Sequence, residues 1–236
     1  MVVIAGFVVL FAPDWASANA PTWTYGTFEG AAVSGEAQRV VRVNVRIESG
    51  LALEPDAVAA TVSEILNDDR GWKASEDVTF RVVADVEPDL LVSVATPATT
   101  DQLCLPLNTV GKLSCRRDSQ VILNVDRWQR GPDVYHASYD NDVDEYRRYL
   151  VNHEVGHFLG KGHVQPANCS SEVRAPVMMQ QTFGLRGCAI NGWPSLDNTD
   201  VVTPGRQVAL FGAELRERLR LRPDGVRRFT HNPLNR

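Results

Sequence analysis

From Val40 to Ile47 apolar and polar residues alternate: Val41, Val43 and Val45 fall on one side, Arg42, Asn44 and Arg46 on the other. Successive side chains of a strand point to opposite faces, so this period of two predicts a β-strand with one polar face. Val78, Phe80 and Val82, set against Thr79 and Arg81, predict a second strand, and Leu90–Val94 a third. Lys112–Arg117 reads as a short edge strand and Val121–Val125 as a more buried one. Between the first two strands the period changes. Val58, Val62, Ile65 and Leu66 recur three and four apart, Pro55 suits a first helical position and Gly71 follows the end, which predicts a helix. A second helix opens at Asp142-Val143-Asp144-Glu145, whose carboxylates favour the positive end of a helix dipole. Leu150, Val151, Val155 and Phe158 give it apolar contacts. Thr203-Pro204 predicts a last helix to about Leu221, with Val208, Phe211, Leu215 and Leu219 as its stripe. Pro21–Gly35 reads as a lead-in, Thr96–Thr109 and Trp128–Tyr139 as loops, and Gln165–Pro194 as mostly irregular.

Composition narrows the classes. The chain has 236 residues, 44% hydrophobic and 22% charged, which is ordinary for a globular protein of one large or two small domains. A net charge of -5 makes nucleic acid an unexpected partner. The crowded arginines near the C-terminus, Arg216 to Arg228, read as a solvated face, with contact to an anionic envelope as the alternative. Met1–Ala12 is an apolar run too short to span a bilayer but suited to the core of a signal peptide, with small-residue cleavage sites near Ala18 and Ala20. No Lys or Arg precedes Arg39, so either the true start lies upstream or the run is the tail of a membrane anchor. Export to a secreted or cell-surface location is expected, as a monomer. Four cysteines agree with an oxidising compartment. They allow three pairings; proximity suggests Cys104–Cys115 and Cys169–Cys188, each contributing roughly 3 kcal/mol by loop closure.

The candidate chemistry lies in His153-Glu154-Val155-Gly156-His157-Phe158-Leu159-Gly160-Lys161-Gly162-His163, which reads H-E-x-x-H-x-x-G-x-x-H. Residues four apart on a helix share a face, so His153 and His157 can reach one Zn²⁺. Gly160 stands where a residue without Cβ can end the helix in the left-handed conformation, and the chain returns His163 as a third ligand. Three protein ligands leave one position for water, the arrangement of a catalytic zinc site. Glu154 stands beside the metal and not on it, placed to take a proton from water. At ordinary residue frequencies a chance match in one chain is roughly a one-in-100,000 event.

This motif is the signature of the metzincin metallopeptidases, which the chain resembles. That family has a Met-turn downstream, and Ala175-Pro176-Val177-Met178-Met179-Gln180 follows at a suitable distance, with Met178 the choice and Met179 the alternative. Where some members place a Tyr ligand two residues after the Met, this chain has Gln180 or Gln181, so no fifth ligand is carried over. The Val-Asn-His-Glu-Val-Gly-His run and a cysteine soon after the third His resemble uncharacterised secreted metzincin-like proteins of actinobacteria, over roughly Tyr25–Pro194. The resemblance implies an α+β fold: a twisted mixed sheet carrying the active-site helix, above a smaller irregular C-terminal subdomain, with the break near residues 160–163. The catalytic domain would be residues 21–194, followed by a helix and basic tail over 195–236. In that family an edge strand beside the cleft pairs with the substrate backbone, which assigns Leu113, Ser114, Cys115, Arg116 and Arg117 to that role. The expected function is a secreted zinc endopeptidase acting on a peptide or protein substrate. Two alternatives stay open: a zinc-bearing cell-surface binding domain with weak catalysis, and a zinc amide hydrolase acting on cell-wall peptides.

Overall fold

The computed structural model describes residues 20–28, 39–84, 86–133 and 142–197, and the backbone of Val201–Val202. The apolar run Met1–Ala12 and the helix expected from Thr203 to Leu221 lie outside the described residues. The elements in chain order are β1 (Trp23–Gly26), β2 (Arg39–Glu48), α1 (Pro55–Asn67), α2 (Trp72–Glu76), β3 (Val78–Val82), β4 (Leu90–Ala95) and α3 (Pro97–Leu103). They continue with β5 (Cys115–Arg117), β6 (Gln120–Asn124), α4 (Val125–Arg130), α5 (Val143–Phe158), β7 (Gln165–Pro166) and β8 (Val201–Val202). Among the described residues no helix is long and apolar enough to cross a membrane.

The sheet is mixed, and β2 is its hub. Val43 pairs in parallel with Val82 of β3 on one side and with Leu90 of β4 on the other. β1 lies antiparallel along the second half of β2, beyond β3 on the same edge. β6 then adds to β4 in parallel, and β5 closes the edge antiparallel to β6. Alternation places Val41, Val43, Val45, Ile47, Val92, Val94, Val121 and Leu123 in one apolar layer. α1 covers it with Val58, Val62, Ile65 and Leu66, and α5 with Leu150, Val151 and Val155. The opposite face holds a smaller cluster: Ala95, Ile122 and the Cys104–Cys115 disulfide, flanked by Trp23 and Leu103.

The polar face of β2 is less wet than its sequence implies. Asn44 is buried, and Arg46 donates from Nε to Ser93 Oγ at 2.8 Å while stacking 3.9 Å from the Trp23 ring. Three other departures have local causes. Thr96 accepts from the Thr99 N–H and Pro97 follows it, so a helix forms within the expected Thr96–Thr109 loop. Asn124 accepts from the Asp126 N–H, which ends β6 one residue early and starts α4 at Val125. The edge strand is shorter than Lys112–Arg117, because Lys112 and Leu113 both donate to Thr109 O and Ser114 Oγ accepts from the Asn124 N–H.

Candidate metal and active site

α5 mounts the site. Asp142 caps its start, accepting from the N–H groups of Asp144 and Glu145 at 3.0 and 3.1 Å. Its far end closes in the two-bond pattern of a glycine stop: Lys161 N–H donates to Gly156 O at 2.8 Å and Gly160 N–H to His157 O at 3.1 Å. Gly160 has φ +86°, a left-handed conformation that Gly adopts without steric cost. The reversal brings Lys161 O to the His157 ring and returns His163 to the face that carries His153 and His157.

The three rings converge. Ligand nitrogens of His153, His157 and His163 all lie within 4.8 Å of one another, and Nε2 of His157 is 3.1 Å from Nε2 of His163. Nitrogens on a tetrahedral zinc at 2.0–2.1 Å stand about 3.3 Å apart, so the donor set and its spacing fit such an ion. The three can together hold a metal ion. Backbone carbonyls fix two of the tautomers. His153 Nδ1–H donates to Val177 O and His157 Nδ1–H to Lys161 O, each at 2.8 Å, because a carbonyl can only accept. Both Nε2 lone pairs are thereby left to the shared centre.

Electrostatics favour neutral rings. Burial, then the neighbouring His157 and His163, holds His153 well below its ordinary pKa. Burial lowers His157 too, with the nearby Arg116 charge adding to it. Burial and then His157 bring His163 down to about 4. Neutral imidazoles bind metal without first releasing a proton. Glu154 is buried in the wall of the same cleft, and burial pushes its carboxyl up to about 8.

The cleft has a volume of about 1060 Å³. Leu113, Ser114, Cys115 and Arg116 line one wall, and Met179, Gln180, Phe183 and Arg186 another. Arg117, grouped with the edge strand from sequence, does not line it: Nη1 donates to Leu103 O at 3.3 Å. Of the two methionines, Met178 packs beneath α5, where a Cβ on Gly156 would meet its sulfur and would stand 2.8 Å from Trp72 Cζ2. The helix needs glycine there for the turn to approach. Met179 follows at the cleft, and its N–H donates to Pro176 O at 2.9 Å.

A family model described as "Protein of unknown function (DUF3152)" matches residues 14–206. The chain belongs to the DUF3152 family. A comparison with curated proteins finds no match. Two solved structures are similar to part of the DUF3152 chain. One, a structure of myroilysin, is 18% identical, has a TM-score of 0.30, and aligns over 58% of this chain and 47% of that one. The other, a crystal structure of myroilysin, is 17% identical with a TM-score of 0.31, over 61% and 52%. The DUF3152 chain thus spans about half the length of these chains.

Beneath the site of this DUF3152 chain lies a buried polar cradle that sequence reading missed. Gln181 Nε2 donates to Asn191 O at 2.8 Å and to Pro176 O at 3.2 Å. Asn191 Nδ2 donates to Ala175 O, Trp193 O and Asp197 Oδ1, and its Oδ1 accepts from the Trp193 N–H. Asp197 Oδ1 also accepts from the Val177 N–H at 2.8 Å, on the residue whose carbonyl holds His153. Burial raises the Asp197 carboxyl to about 7. Above the cradle, Tyr149 OH donates to Met179 O and accepts from the Gln181 N–H. Amides in an irregular stretch carry no period, so no local pattern in the sequence marked them.

Proposed function

We propose that this DUF3152 chain is a secreted, zinc-dependent endopeptidase. The observation that carries the reading is the convergence of His153, His157 and His163 beside Glu154 in an open cleft. Histidine nitrogens are ligands that zinc accepts readily, and a three-His set is one its catalytic sites use. Bound zinc supplies Lewis acidity toward water and toward a carbonyl oxygen. His153 and His157 hold their Nε2 atoms in place through the Nδ1–H bonds to Val177 O and Lys161 O. Glu154 receives a proton on its carboxylate from the attacking water and hands it to the nitrogen of the leaving amine. Met178 is the methionine of the turn beneath the ligands, with Met179 the alternative.

The outer edge of β5 offers main-chain hydrogen bonds to an extended substrate, and we assign Leu113–Arg116 and the backbone of Arg117 to that contact. The two disulfides support an extracytoplasmic location.

Replacing Glu154 with Gln tests the reading. The variant should bind one zinc as tightly as the parent by equilibrium dialysis and hydrolyse a peptide library about 100- to 10,000-fold more slowly. Hydrolysis at the parental rate would remove Glu154 from the mechanism.

A further inference from the structure

Hydrolysis of a peptide bond gathers negative charge on the oxygen of the attacked carbonyl, and hydrogen-bond donors fixed in place beforehand stabilise that charge most. Several donors on the walls of the cleft are already engaged. Tyr149 gives its O–H to Met179 O, the Thr182 hydroxyl shares a hydrogen bond with Tyr146 OH at 2.9 Å, and Lys161 Nζ pairs with Glu76 at 2.6 Å. Gln180 stands apart. It lines the cleft half-buried, and among the described residues no group hydrogen-bonds to its side-chain amide. A neutral amide carries two N–H donors whatever the pH.

The backbone that carries Gln180 is fixed on both sides. Before it, Met179 N–H donates to Pro176 O at 2.9 Å and Met179 O accepts from Tyr149 OH at 3.2 Å. After it, Gln181 N–H donates to the same Tyr149 oxygen at 3.0 Å, and the Gln181 side chain is turned away into the buried cradle. Its own carbonyl accepts from Phe183 N–H at 3.1 Å. Tyr149 stands on α5 one turn before His153, with ring centroids 5.2 Å apart. One phenol thus ties both neighbours of Gln180 to the part of the helix that carries His153 and Glu154. A side chain on so rigid a mount gives up little freedom when it makes one more hydrogen bond.

We propose that Gln180 is a catalytic residue: its side-chain amide donates a hydrogen bond to the oxygen of the attacked carbonyl as that oxygen gains charge. This rests on the hydrolase reading above.

The test compares the parent with Gln180→Leu, which keeps the bulk and removes the donors, and with Gln180→Glu, which puts an acceptor there. In zinc-loaded protein each variant should lower kcat about 100-fold or more and leave KM within about threefold. Zinc affinity by equilibrium dialysis and the melting temperature should stay parental, which a merely structural role would not allow. A second readout needs no turnover. The probe is a phosphinic peptide, whose tetrahedral phosphorus carries anionic oxygen, built on the best-cleaved library sequence, or on an alanine-rich one if none is cleaved. By calorimetry, Gln180→Leu should bind it about 100-fold more weakly than the parent does. The matching unmodified peptide, measured on zinc-loaded Glu154→Gln chains with and without Gln180→Leu, should bind equally. If Gln180→Leu does not fold, Gln180→Glu carries both readouts. Parental kcat in the variants, or equal losses for the phosphinic and the unmodified peptide, overturns the inference and leaves the hydrolase reading standing. Absence of cleavage by the parent removes that reading, and the phosphinic arm then decides alone: weaker binding by the variant upholds the donor, unchanged binding overturns it.

Discussion

The three-His centre is built by two regions held together in different ways. The sheet and its helices are joined by alternation: Val43, Leu90, Val92, Val94 and Leu123 are fully buried and pack against apolar faces of α1 and α5. The segment from Val164 to Asp197 has only two single-turn 3-10 helices and a two-residue strand, and is held by amides, a half-buried carboxylate and a disulfide. Yet His153, mounted on the first region, takes its tautomer from Val177 of the second. Regular structure supplies the position of the His153 ring, and irregular structure supplies its orientation. Damage to the two regions should therefore be separable.

The largest effects test that separation directly. Leu90→Ala and Asn191→Leu should each cost about 3 kcal/mol in urea denaturation, one by a cavity and the other by leaving buried carbonyls and a carboxylate short of donors. Only the second should weaken zinc binding, by about tenfold or more, because only it loosens the turn that holds His153. If both variants kept parental zinc affinity, the cradle would have no part in aligning the site.

A smaller effect is expected where the regions touch. Gly156→Ala places a methyl group against Met178 and Trp72, which should cost about 2 kcal/mol and displace the turn. Thermal unfolding and zinc dialysis on one sample check this; unchanged values in both would mean that Met178 moves aside freely.

The smallest effect is a pH slope. Asp197 has a folded pKa raised to about 7 from 3.8. The native state therefore holds this proton more tightly than the unfolded chain does. That contribution is complete below about pH 4 and disappears as pH rises through 7. In metal-free protein, the stability of the parent relative to Asp197→Asn should fall by about 1 kcal/mol between pH 6 and pH 8. Comparison with the variant cancels the same-signed contribution of Glu154. A difference that stayed flat, or rose with pH, would show that Asp197 is charged throughout.

The same contrast explains what was legible in the sequence. β2, β3, β4, β6, α1 and α5 announce themselves because burial on one face imposes a period, and a period is visible without knowing the partner. The convergence of the three histidines was legible for a related reason: His153, His157, Gly160 and His163 are tied to one another by the helix and its closing turn within eleven residues. α3 and α4 were missed although Thr96-Pro97 and Asn124 are ordinary helix-starting residues, because neither helix is long enough to show a stripe. Gln181, Asn191 and Asp197 were missed for a deeper reason. Their side-chain partners lie up to 20 residues away in a stretch without repeat, so nothing local marks them as structural.

The closing turn of α5 has a consequence for how the chain can change length. His157 is oriented by Lys161, and His163 follows two residues later, so the seven residues His157–His163 form a ruler that tolerates neither insertion nor deletion. The stretch from His163 to Val177 is under a looser constraint. It must only return to the helix, where Val164 N–H meets Met178 O. Relatives that differ in length should therefore differ between Gln165 and Arg174, leaving the spacing of the three imidazoles untouched.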